Sequence, residues 1–149
     1  MLVENSANVR TAFSIPDHPR LRRLVGQNRG TVTMDVTSAT GTITSVTNKE
    51  SYYIKYGNQV TIYFTFTVAN NGTGATYITV TGMPYPCSST IGASGTAHNS
   101  TLGLCEVWVA PTFSTFNIRL YTGAYPAVNG DVIYGSFTYF VNSTDALLV

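Results

Sequence analysis

The sequence predicts an all-β domain, an antiparallel β-sandwich of jelly-roll type preceded by a short leader. Three observations predict the β architecture. After residue 30 the hydrophobic period is two. Turn formers such as Tyr56-Gly57-Asn58, Asn70-Asn71-Gly72 and Asn129-Gly130-Asp131 recur at near-regular spacing. No window beyond residue 30 carries the 3.6-residue period of a helix. A chain of 149 residues suits one core rather than two.

Residues 1–29 form the leader. They hold five arginines (Arg10, Arg20, Arg22, Arg23, Arg29) against two acids, a balance of +3. Residues 30–149 hold three basic and five acidic residues, a balance of −2. The boundary is placed at Asn28-Arg29-Gly30. Within the leader, Pro16 and Pro19 bracket a turn at Asp17-His18. Pro19 opens a short helix with Leu21, Leu24 and Val25 on one face, and Gly26 stops it. The arginines read as a solvated face or as a clamp onto a partner subunit.

The strands follow. The strongest is 60–68, where Val60, Ile62, Phe64, Phe66 and Val68 alternate with Thr61, Tyr63, Thr65 and Thr67. The others are 31–36, 41–47, 51–56, 75–81, 103–110, 115–121 and 131–141. Val60, Ile62, Phe64, Phe66, Val107, Ile118 and Leu120 are the expected core. The stretch Gly95 to Thr101, which carries His98, reads as a flexible loop.

One hairpin can be argued to register. Strand 103–110 has Cys105, Val107 and Val109 on one face; strand 115–121 has Phe116, Ile118 and Leu120 on one face. Pairing Val109 with Phe116 sets Val107 opposite Ile118 and Cys105 opposite Leu120. It also sets Trp108 opposite Asn117, Glu106 opposite Arg119 and Leu104 opposite Tyr121. A one-residue slip would place the two apolar sets on opposite faces, whereas a slip of two keeps the same parity, so the pattern selects the parity of the pairing. Strand 131–141 is apolar on both faces, with Ile133, Phe137, Tyr139 and Val141 on one and Val132, Tyr134 and Phe140 on the other. Such a strand is covered twice, and in a chain this small the second cover is expected from another subunit.

Composition narrows the function. Hydrophobic residues make up 44% and charged residues 10%, against roughly 25% charged in an average domain. Polarity comes instead from 23 Thr, 12 Ser and 11 Asn. This excludes a charged disordered chain, a coiled coil and a collagen-like chain. A net charge of +1 gives no global field for nucleic acid or anionic lipid, and no apolar run reaches the roughly 18 residues of a membrane span. Met1, Leu2 and Val3 are followed at once by Glu4, without the apolar stretch of a secretory signal. The expectation is a chain not exported by that route, or a fragment. Cys87 and Cys105 are expected as free thiols, with pairing as the alternative.

Catalysis is not expected. The acids after residue 30 are Asp35, Glu50, Glu106, Asp131 and Asp145, and no two share a strand at a spacing that forces proximity. His18 and His98 have no nucleophile and orienting acid at motif spacing. Two His and two Cys at unrelated spacings make no metal site, and no phosphate loop leads into a helix. No cofactor is expected.

The run Glu50-Ser-Tyr-Tyr-Ile-Lys-Tyr-Gly57-Asn-Gln-Val-Thr-Ile-Tyr-Phe-Thr65 joins a Tyr-rich strand, a Gly-Asn turn and a long alternating strand. Asn71-Gly72-Thr73-Gly74, Ile78-Thr-Val-Thr-Gly-Met-Pro84 and Asn129-Gly130-Asp131-Val-Ile-Tyr-Gly-Ser-Phe-Thr-Tyr139 follow. In this order the sequence resembles the C-terminal domains of bacteriophage tailspikes and tail fibres over about residues 30–141. Its closing Gly-Ser-Phe-Thr-Tyr departs from the Gly-x-Tyr of that pattern. The resemblance implies a homotrimeric β-sandwich at the tail tip of a virion, made in the host cytoplasm. It implies binding of host cell-surface polysaccharide and support of trimer assembly. The alternatives are a trimerisation domain without a ligand, or a glycan-cleaving site shared between subunits. The chain is then a fragment or a separately translated C-terminal product.

The sequence offers one candidate binding face. The polar side of the 103–121 hairpin carries Glu106, Trp108, Asn117, Arg119 and Tyr121. An aromatic ring takes the apolar face of a sugar, and fixed amide and charged groups read its hydroxyls. The alternative is a cross-strand ion pair between Glu106 and Arg119 over a packed Trp108. The candidate trimer contacts are Tyr134, Phe140, Arg22 and Arg23.

Overall fold

The structure, a computed structural model, describes residues 27–142. The expected leader helix and the arginines Arg22 and Arg23 lie outside the described residues. Among the described residues nine strands form one antiparallel sheet: β1 (Gln27–Thr31), β2 (Asp35–Thr40), β3 (Ser45–Tyr56), β4 (Gln59–Asn70), β5 (Ala75–Thr81), β6 (Ala93–Asn99), β7 (Gly103–Val109), β8 (Thr115–Leu120) and β9 (Asp131–Phe140). No helix occurs among the described residues. The strand order is β1-β3-β4-β9-β6-β7-β8-β5-β2.

The sheet curls strongly, and its connections show how far. β1 and β2 are its two edges, yet only residues 32–34 join them. The four Cα steps from Thr31 to Asp35 span at most about 14 Å, so the edges lie close together. The long hydrophobic alternation of β4 turns Val60, Ile62, Phe64, Phe66 and Val68 into the curl, where all are buried. Phe64 of β4 meets Phe116 of β8 at a ring separation of 5.0 Å, and Phe137 of β9 meets Phe116 at 4.8 Å. Strands far apart in sheet order thus share one core.

Small residues permit the bend between β9 and β6. Gly95 lies opposite Phe137 and Ala97 opposite Gly135, all on the inner face. A Cβ on Gly95 would come within 2.8 Å of the Ser136 carbonyl oxygen, and one on Gly135 within 2.5 Å of the Thr96 carbonyl oxygen. The backbones approach closely because no side chain stands between them.

Several expectations are corrected here. The stretch 31–36 is not one strand but the link between β1 and β2 with parts of both. The pieces 41–47 and 51–56 merge into β3, whose irregular register between Thr47 and Glu50 holds Asn48 at φ 51. This extra residue is a bulge, and it breaks the period-two pattern in the sequence. The expected loop at Gly95–Asn99 is strand β6. The boundary at 28–30 falls inside β1, whose Arg29 pairs with Ile54. Leu120 is only partly buried.

Two connections seal the ends of the core. Residues 82–92 cross from β5 to β6, burying Met83 and Cys87; the Cys87 N–H donates to Phe113 O at 2.9 Å and the Ser88 N–H to Phe140 O at 2.7 Å. Tyr139 is fully buried and donates to Tyr85 O at 3.0 Å. Burial pushes its phenol well above the ordinary range, and burial with the adjacent Tyr85 does the same to Tyr53. Both therefore remain neutral. Lys55 is fully buried beside them, its ammonium 5.3 Å from the centre of the Tyr85 ring. Cys87 and Cys105 are both free and buried, and burial raises both thiols above their usual range.

Candidate functional site

The hairpin register matches the expected one. Cys105 faces Leu120, Glu106 faces Arg119, Val107 faces Ile118 and Trp108 faces Asn117. The Tyr121 N–H donates to Leu104 O at 3.2 Å and closes the far end. Cys105, Val107, Val109, Phe116 and Ile118 are buried in the core, so the alternation drives Glu106, Trp108, Asn117 and Arg119 onto the outer face.

On that face the side chains contact one another. Arg119 pairs with Glu106 through its Nε. The same guanidinium lies over the Trp108 ring, its carbon 5.0 Å from the ring centre. Tyr77 of β5 meets the Trp108 ring edge-on at 5.2 Å and 68°. Asn117 accepts the Thr79 hydroxyl at 2.9 Å, which fixes its amide. Trp108 is half-buried and Tyr121 exposed. Four of the sequence-chosen residues, Glu106, Trp108, Asn117 and Arg119, therefore share one face, with Tyr121 exposed just past the end of β8, but Arg119 covers part of the ring that a bare platform would present. Tyr77 joins the cluster from β5. Sequence reasoning missed it because strand order is not written in local periodicity.

The same outer face continues around the sheet. Adjacent strands place Thr31, Tyr52, Tyr63, Ser136, Thr96, Glu106 and Arg119 in one cross-strand row. The neighbouring row holds Glu50, Thr65, Tyr134, His98 and Leu104. Tyr52 and Tyr63 stack at 4.8 Å with planes 15° apart, and His98 lies 5.5 Å from Tyr134. Tyr52, Ile54, Tyr56, Tyr63, Val132, Tyr134 and Phe140 are each more than a third exposed in the single chain. The outer side of β9, expected to be covered, is thus open in one chain.

Three clefts converge on Tyr52. One of about 270 Å³ runs between Tyr63 and Tyr134, with Glu50, Thr65 and Ser136 at its lining. Another of about 540 Å³ lies between residues 31–34 and 49–52. The third, about 290 Å³, lies along residues 29–31 and 52–54. The described residues hold no group of three or more His, Cys, Asp or Glu placed to bind a metal ion. No helix among them is long and apolar enough to cross a membrane. Comparison of the chain with protein-family models, curated proteins and solved structures finds no match.

Proposed function

We propose that the chain is a glycan-binding, self-associating β domain of the kind found at the tips of phage tailspikes and tail fibres. On this reading it is a non-enzymatic virion component. Its curled sheet serves as a jelly-roll-like sandwich within a homotrimer. The observation that carries the reading is the cluster on the 103–121 hairpin. An indole ring, a guanidinium held by a carboxylate and an oriented amide sit together on a face rich in threonines and tyrosines. Sugar recognition needs such a mixture of apolar ring and fixed hydrogen-bonding groups. Arg119 retains further N–H donors beyond the one given to Glu106, and its stacking on Trp108 holds them in place.

Assembly is assigned to the aromatic face of β3, β4 and β9. Phe140 and Tyr56 mark one end of it and Tyr134 the other, six residues or about 20 Å along the strand. Large exposed apolar areas mark association surfaces. A purely structural domain is the second reading, favoured by the Arg119 contact that closes over Trp108.

Mutation separates the two. Trp108→Ala in a glycan-binding domain weakens retention on an array of bacterial surface oligosaccharides and leaves the melting temperature nearly unchanged. If Trp108 serves only packing, the same change costs about 3–5 kcal/mol of stability. A large fall in melting temperature, or unchanged array binding, ends the assignment of this face.

A further inference from the structure

We infer that the trough around Tyr52 is a second saccharide-binding site, a track for a linear oligosaccharide separate from the Trp108 cluster. The inference rests on the glycan-binding reading and names where a longer chain would lie. In one row Tyr52 and Tyr63 rise from β3 and β4, and the next position on β9 is the small Ser136. In the adjacent row Thr65 is followed by Tyr134. The mismatch leaves a depression with a ring on either side, its floor formed at Phe64 and Gly135. Glu50 stands at both this groove and the larger cleft beside β1, so the two meet at Glu50 and Tyr52.

The trough reaches across β1, β3, β4 and β9, three strand spacings or about 14 Å. That is longer than one pyranose ring. Its lining alternates chemistry in the manner a sugar chain presents it. Tyrosine rings meet C–H faces, while the Glu50 carboxylate and the Thr65 and Ser136 hydroxyls meet sugar hydroxyls. A second copy of the chain suits this region less well. Interface cores are depleted in charge, whereas Glu50 and Lys49 both line the trough. The Phe140 and Tyr56 end of the face touches none of the three clefts and remains for assembly, whereas Tyr134, at the other end of that face, serves the groove on this inference.

The test is a titration of the isotope-labelled full chain with size-fractionated oligosaccharides released from bacterial surface polysaccharide by mild acid. Nuclear magnetic resonance should show perturbation at Glu50, Tyr52, Tyr63 and Ser136 that saturates, with tighter binding for longer fragments. Tyr52→Ala and Ser136→Trp should each weaken that response at least tenfold, and Trp108→Ala should leave it in place. Perturbation confined to residues 104–121, or both trough variants binding like the wild type, overturns the trough while the Trp108 assignment stands. Trough variants that lose self-association but keep full oligosaccharide affinity show a contact between copies, which also overturns it. A wild-type chain that binds no fragment removes the glycan reading and the trough with it. The mapping on the wild-type chain decides the matter even where a variant fails to fold.

Discussion

At the scale of single residues, Asp131 shows how the fold spends a buried charge. It is 2% exposed, and its Oδ2 accepts the Asn99 amide and the Val128 N–H, both at 2.7 Å. Asn99 also donates to Pro126 O at 2.6 Å and accepts the N–H groups of Thr101 and Leu102. One carboxylate thereby ties the start of β9 to the turn after β6. Burial alone would raise its pKa, but hydrogen bonds from Asn99, Val128 and Thr101 outweigh burial and hold it below the usual carboxylate range. Folded Asp131 releases its proton more readily than unfolded Asp131. Its stabilisation is therefore complete above the unfolded value of about 4 and fades as pH falls through the lower folded value. Asp131→Ala should cost about 1–3 kcal/mol for each donor left without an acceptor. Urea denaturation at pH 7 and near pH 3 checks both points, because the variant should lose less stability on acidification than the wild type. Equal acid sensitivity would remove Asp131 from the account. Neither Asp131 nor Asn99 was legible as a structural pair in the sequence, since 32 residues separate them.

At the scale of elements, hydrophobic period carried most of the information where strands are regular. The inward faces of β4 and of the β7–β8 hairpin were readable, because the inward set is apolar and a slip of one would expose it, although the strand ends fell up to two residues away. β6 was not. Its inner positions are Gly95 and Ala97, so the strand has almost no apolar alternation to show. Those small residues are required by the bend against β9, and the same demand that makes the strand fit erases its sequence signal. Gly135→Val should destabilise the domain by about 1–3 kcal/mol or more, as overpacking against backbone does. Phe64→Ala should cost about 3–5 kcal/mol, since its ring lies against Phe66 and Phe116 in the core. Thermal unfolding followed by circular dichroism measures both. A Gly135→Val protein as stable as the wild type would contradict the close approach of β6 and β9. The β3 bulge was hidden for a different reason: Asn48 adds one residue and shifts the period by one, so a single strand reads as two.

At the scale of the whole molecule, the all-β class follows from composition and period, whereas the order of nine strands does not. Non-local pairing decides it, above all the short link that brings the two sheet edges together. The candidate face was legible in part. Local alternation put Glu106, Trp108, Asn117 and Arg119 on one side, but the Tyr52 trough needs β1, β3, β4 and β9 assembled, and no local pattern reveals that. The exposed aromatics of β3, β4 and β9 lead us to expect self-association, and the resemblance to tailspike and tail-fibre domains sets the expected copy number at three. Light scattering of the full chain at micromolar concentration should give three times the 16.1 kDa chain mass, and Phe140→Asp should shift the population toward monomer. A monomer mass for the wild type would end the assembly proposal.

The proposed function turns on recognition of a bacterial surface glycan. The most direct measurement is binding of the purified, fluorescently labelled full chain to a panel of bacterial strains, each tested intact and after its surface polysaccharide has been stripped. Saturable binding to at least one intact strain is expected, lost on stripping and competed by the released polysaccharide. Binding that survives stripping unchanged, or absence of binding across the panel, would contradict it.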